Sequence, residues 1–184
     1  QEVVMNPYQT NKVSLNVIPE DNSTSTLFSN LDLLLISNDE SEFYVPGFGV
    51  DQIGSIDVTD GFSCFLNGNS TQSVMVEGLP VEYSETSIQL NSFMMNIMPY
   101  LPQECWPTDV VFAGYEDDIL IVKDDGSNYY VPAFGVQTLA EMCPGEGYSV
   151  FLNGAGGLDF TYDASGGLAS SLDDPIDPKL EEAL

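Results

Sequence analysis

The sequence predicts a mainly β protein made of two tandem small antiparallel β-barrel or β-sandwich units, each with at most one short helix. Three observations predict this. The chain repeats itself: Tyr44-Val45-Pro46-Gly47-Phe48-Gly49-Val50 returns as Tyr130-Val131-Pro132-Ala133-Phe134-Gly135-Val136. Gly61-Phe62-Ser63-Cys64-Phe65-Leu66-Asn67-Gly68 returns as Gly147-Tyr148-Ser149-Val150-Phe151-Leu152-Asn153-Gly154. Both pairs share one offset, since 130 − 44 and 147 − 61 are each 86. A fixed internal period is the mark of a repeat architecture. Second, the apolar runs are of strand length and lie between turn sequences. Third, Pro46 and Pro132 close equivalent runs, and proline cannot donate to a sheet ladder.

Each copy then reads in the same order. An apolar stretch opens it, at 13–18 in the first copy and 88–97 in the second. Ser23-Thr24-Ser25-Thr26-Leu27-Phe28 offers an N-cap followed by an apolar pair, which predicts one or two helical turns. Pro107-Thr108-Asp109-Val110-Val111-Phe112 is its counterpart. A buried strand follows at 33–36 or 119–122. Asn38-Asp39-Glu40-Ser41 and Asp124-Asp125-Gly126-Ser127 are hairpin turns, the second carrying the Asp-Gly signal. The returning strand ends at proline, and a loop with one helical turn leads to Gly61 or Gly147. The next strand is 62–66 or 148–152. Asn-Gly then turns the chain into a last strand at 74–77 or 158–162. Contiguous strands joined by short turns favour antiparallel sheets. The units are placed at 1–80 and 81–162, with 163–184 as a C-terminal arm or linker that lies along a neighbouring subunit.

Composition narrows the function. Twenty-nine acidic residues stand against three lysines, with no arginine and no histidine, for a formal net charge of −26. Such a chain repels nucleic acid and anionic membranes, both of which are bound through Lys and Arg. Its self-repulsion is best tolerated where salt shortens the Debye length, as in seawater or a halophilic setting. Without histidine there is no usual general base and no orienter for a nucleophilic triad. Carboxylate-only chemistry, as in glycosidases, remains formally possible. Glu104, Glu116, Glu141 and Glu146 could supply an acid pair, but no spacing fixes one. No segment is long and apolar enough to span a membrane, so membrane insertion is not expected. A chain that opens on Gln1 is read as having a processed or incomplete N-terminus.

The second copy carries an apolar run, then Lys123-Asp124-Asp125-Gly126, Tyr130-Val131-Pro132-Ala133-Phe134-Gly135-Val136 and Gly145-Glu146-Gly147-Tyr148. This pattern resembles a tandem β-rich repeat of secreted and surface proteins of Bacteroidota and of structural (fibre or decoration) proteins of marine tailed phages. The first copy departs from it at Ser37 and at Asn38-Asp39-Glu40. The likeness spans most of residues 13–162 and none of the arm. It implies adhesive or structural parts and carries no catalytic residues.

Four groups of residues are candidates for sites. Tyr44, Phe48, Tyr130 and Phe134 could form stacking platforms for sugars; the competing reading has them filling a core or a seam. Asp124, Asp125 and Asn128 could give oxygens to calcium, but calcium takes six to eight oxygens and the spacing is not that of a twelve-residue calcium loop. The competing reading is a solvated hairpin tip, with no cofactor. Cys105 and Cys143 both belong to the second copy, and Cys143 aligns with Asp57, so they are expected to be bonded to each other. Cys64 aligns with Val150 in an apolar strand and is expected to be a buried free thiol. The sequence is therefore read as a non-enzymatic structural component of a virion or extracellular surface assembly. Its partners would be other protein subunits, in a homo-oligomer or a larger lattice. The alternative is a module binding cell-surface glycan or a receptor through exposed aromatics.

Overall fold

A computed structural model describes residues 1–163; the expected arm falls outside the described residues except for Asp163. The chain is mainly β, with antiparallel pairing throughout. The first unit contains β1 (Glu2–Met5), β2 (Asn11–Val13), β3 (Val17–Pro19), α1 (Thr24–Leu27), β4 (Leu33–Ser37), β5 (Phe43–Val45), β6 (Val50–Asp51), β7 (Phe62–Leu66), β8 (Gln72–Met75) and β9 (Gly78–Pro80). The second contains β10 (Ile88–Leu90), β11 (Asn96–Pro99), β12 (Trp106–Pro107), α2 (Thr108–Val111), β13 (Ile119–Lys123), β14 (Tyr129–Val131), β15 (Val136–Gln137), β16 (Glu141–Met142), β17 (Gly147–Leu152) and β18 (Leu158–Phe160).

Each unit builds one five-stranded sheet, in the order β2-β7-β4-β5-β6 and β11-β17-β13-β14-β15. Two-stranded ribbons cover these sheets: β1-β8 and β3-β9 in the first unit, β10-β18 and β12-β16 in the second. No ladder between named strands crosses from one unit to the other. Two buried apolar clusters follow the same division, one over residues 3–76 and one over 81–162.

The local chemistry explains the elements. Strand β7 alternates buried and less buried residues at period two, with Phe62, Cys64 and Leu66 facing the core. Strands β5 and β14 stop at Pro46 and Pro132, which open a 3-10 turn closed by Gly49 and Gly135 at φ of 66° and 61°. The same register shift occurs after Leu33 and after Ile119, and Leu34 and Leu120 face solvent there.

Three readings of the sequence need correction. The opening stretch is not one strand in either copy: it breaks into β2 and β3 in the first, and into β10 and β11 in the second. The N-terminal strand β1, paired with β8, was not anticipated. Its counterpart is β10, and the offset there is 85, not 86: Asn6 and Asn11 match Asn91 and Asn96. Both distal asparagines accept a backbone N–H and donate back to the same residue's carbonyl (2.7 and 2.9 Å for Asn11; 2.6 and 3.0 Å for Asn96). The hairpin glycine is also not what turns the chain. The left-handed residue is Ser41 at φ 68° and Ser127 at φ 67°, so the first copy needs no glycine there.

Candidate functional site

The structure separates the four candidate aromatics into two classes. Tyr130 is 7% exposed and stacks on Phe112 at 5.9 Å, so it belongs to the core and is no stacking platform. Tyr44 is half-buried against the core of the first unit. The cause is the strand period: Tyr44 and Tyr130 pair with buried Ile36 and Val122, on the inner face of the sheet. Phe48 and Phe134 lie beyond the strand on the 3-10 turn, and are 83% and 80% exposed.

These two phenylalanines do not stand alone. Phe43 and Val50 are exposed in the first unit, and Tyr129 and Val136 are exposed at the equivalent places in the second. Val45 faces Val50 across the ladder, and Val131 faces Val136. Phe43 is two residues from Val45 and so shares its face. Each five-stranded sheet thus ends in an apolar strip on its outermost hairpin, with β6 or β15 as its open edge. A second exposed aromatic pair escaped the sequence reading. Tyr8 and Phe93 stand at φ 65° and 64° and are 85% and 87% exposed. A bulky side chain at positive φ is strained. The repeated Asn-x4-Asn brackets that carry them were the available signal.

The other edges of the two sheets meet at a seam with local twofold character. The carboxylate of Asp125, at the tip of the second unit's hairpin, accepts the backbone N–H of Lys12. Asp39, the equivalent residue of the first hairpin, accepts the N–H of Ile97 at 3.0 Å. Lys12 and Ile97 are themselves equivalent, opposite Ser63 and Ser149 on β7 and β17. The two units therefore exchange the same contact, as the halves of an isologous dimer do. Gly61 and Gly147 face Ile97 and Val13 across this seam, where a Cβ would fall 2.3 Å and 3.1 Å from their carbonyl oxygens. Ser14 donates its N–H to the Gly145 carbonyl at 3.2 Å. The reciprocal bond is missing because Pro99 occupies the position of Ser14 and has no N–H.

Two clefts flank the seam, and they too are equivalents. One, of about 300 Å³, includes Lys12, Asp124, Asp125 and Glu146 in its lining. The other, of about 230 Å³, includes Asp39, Glu40, Asp60 and Ile97. Their charges differ. In the first, Lys12 Nζ reaches Asp125 at 2.5 Å, and Glu146 accepts the Tyr148 hydroxyl. In the second no lysine is present. Asp60 is exposed along one side, yet its carboxyl lies partly desolvated among Asp57, Asp39, Glu40 and Glu42. That desolvation first, and those charges second, push it up to about 6.

The calcium candidates are occupied by the protein's own groups. Asp124 accepts the N–H and the side-chain amide of Asn128 at 2.8 and 2.7 Å, which clamps the hairpin turn. Asp125 serves Lys12. Among the carboxylates considered for acid pairing, Glu116 accepts the Gly114 N–H at 2.8 Å and Glu141 is exposed beside Cys143. Cys105 and Cys143 are bonded to each other across the end of the β12-β16 ribbon. Cys64 is free and buried, and burial pushes its thiol well above the usual range. Among the described residues no helix is long and apolar enough to cross a membrane.

No protein-family profile, curated protein or solved structure matches this chain.

Proposed function

We propose that this chain is a non-enzymatic structural subunit of an extracellular assembly, such as a virion or cell-surface decoration, fibre or filament. The single observation behind this reading is the pair of equivalent apolar strips, each headed by a phenylalanine that packs against almost nothing in its own unit. A buried aromatic recurs between repeats because the core needs it. An aromatic exposed to the same degree in both repeats is not explained by the core, and exposed apolar patches mark contact surfaces. The disulfide supports placement in an oxidising compartment. The residue types present support the absence of triad chemistry, since the chain has no histidine.

The glycan-binding alternative loses its tyrosines, because Tyr130 is buried and Tyr44 half-buried. It would rest on Phe48 and Phe134 alone. Immunogold electron microscopy of the native source tests the structural reading. The expected label decorates a regular particle, tail or filament. Label found only on dispersed, unassembled protein would overturn it.

A further inference from the structure

Resting on that reading, we propose that the chain is a bivalent connector: each apolar strip docks in a groove of a basic partner protein, so that one chain joins two copies of the same partner. Three observations carry this.

The first is placement. Within each five-stranded sheet the strip lies at the edge opposite β2 or its counterpart: β2 pairs with β7, while β5 and β6 close the other side. The same holds for β11 against β14 and β15. Phe43 and Tyr129 pair with Ser37 and Lys123, two residues from the seam contacts Asp39 and Asp125, so each strip begins near the seam. The two strips lie on different five-stranded sheets, so the chain offers two separate contact surfaces.

The second is equivalence. Phe48 and Phe134, Val50 and Val136, and Phe43 and Tyr129 match pair by pair in exposure, at 83% and 80%, 39% and 37%, and 40% and 39%. Tyr8 and Phe93, and Leu34 and Leu120, also match, but on the β1-β8 ribbon the exposed surfaces diverge: Val4 and Met75 are exposed on the first unit, where the second has Gln89 and Thr161. Two surfaces that stay alike while their surroundings differ fit one kind of partner.

The third is charge, and it selects the occupant. A second copy of this chain would bring another net charge of −26 to the contact. Like-charge juxtaposition disfavours that pairing, whereas a lysine- or arginine-rimmed groove is drawn to the same strip. An acidic group stands at each of these edges on the opposite face, where Asp51 and Gln137 pair with the inward Tyr44 and Tyr130. Asp51 lies on β6 itself, and Asp109 accepts a hydrogen bond from Gln137 of β15 at 3.5 Å.

The test uses the full chain and two amphipathic model peptides, one of leucine and lysine and one of leucine and glutamate, read by calorimetry and sedimentation. The expected result is two leucine–lysine peptides bound per chain and none of the leucine–glutamate peptide. Phe48→Ser should leave one site, and Phe48→Ser with Phe134→Ser should weaken binding at least tenfold while the thermal melt stays unchanged. Binding that persists in the double variant would show charge alone at work and overturn the proposal. So would equal binding of the acidic peptide, or a wild-type chain that dimerises through the strips at 0.15 M salt. If the strips fail these tests while the labelled chain still decorates a native assembly, only the partner class is wrong.

Discussion

The two units share a backbone plan and differ in what fills it. The first unit is packed mainly with aliphatic side chains, among them Val3, Leu15, Ile36, Ile56 and Val74. The second is packed with aromatic ones: Tyr100, Trp106, Phe112, Tyr148, Phe160 and Tyr162. Trp106, Tyr100 and Phe160 all lie within 6.3 Å of the Tyr162 ring, edge-on to it. Aromatic cores bring hydroxyls with them, and each must be satisfied. Tyr162 donates to the Pro99 carbonyl at 2.7 Å, and Tyr100 donates to the Glu104 carbonyl at 2.7 Å. The lesson is that the fold depends on the pattern of burial, not on which apolar residue occupies a site.

The same comparison explains the disulfide. Where the second unit has the β12-β16 ribbon, the first has a single bridge, Ser23 opposite Ser55. That bridge places Asp21 and Asp57 at the positions of Cys105 and Cys143. Asp21 accepts the Ser23 N–H and Asp57 the Thr59 N–H, each at 2.9 Å. One unit ties this corner by local turns, the other by a covalent bond.

The largest effect that would break the comparison comes from removing that bond. The disulfide closes a loop with a sequence separation of 38. On chain-entropy grounds its loss costs about 3 to 4 kcal/mol. Cys105→Ser with Cys143→Ser should lower the melting of the second unit and leave the first nearly unmoved, as read by calorimetry with and without reductant. A single transition lowered uniformly would show that the seam couples the units too tightly for them to differ.

A smaller effect sharpens the seam. Gly61→Ala drives a methyl into the Ile97 carbonyl at 2.3 Å, and backbone there cannot yield cheaply. Gly147→Ala meets Val13 at 3.1 Å, which a shift of a few tenths of an ångström relieves. The first should cost about 2 to 3 kcal/mol and the second under about 1 kcal/mol, by denaturant titration. Equal costs would mean that the local twofold is closer than these distances imply.

The smallest effect is electrostatic. Asp60 is held near 6 when folded, against 3.8 for an ordinary aspartate. The folded state therefore binds the proton more tightly, and this group favours folding more as pH falls from about 7 toward 4. Asp60→Asn should raise stability at pH 7 by on the order of 1 kcal/mol, since solvent screens part of the repulsion. At pH 4 the variant and the native chain should melt alike. An Asp60→Asn chain no more stable at pH 7 would place the repulsion elsewhere in the cleft.

Much of this was legible in the residues. Closely matching heptads and octads at one offset revealed the two units, and strand ends followed from Pro46 and Pro132. Strand β1 was lost because the offset slips to 85 before the helix, so a search at 86 passes over Asn6 and Asn91. Among the candidate site residues, Tyr130 and Phe134 looked alike in sequence, each two positions from Pro132. Only the direction of the strand tells which one meets solvent.

By itself the sequence determined a duplicated β architecture, a strongly acidic surface and a chemistry without histidine. Those properties reside in local pattern and composition: period-two alternation, turn residues, proline's missing N–H and the count of charges. The tertiary structure alone decided that Asp39 and Asp125 would cross to the opposite unit, that Lys12 would neutralise one cleft and not its twin, and that the two strips would face outward. Exposure and pairing depend on neighbours remote in the chain, and a repeat specifies its own fold before it specifies how it meets its copy.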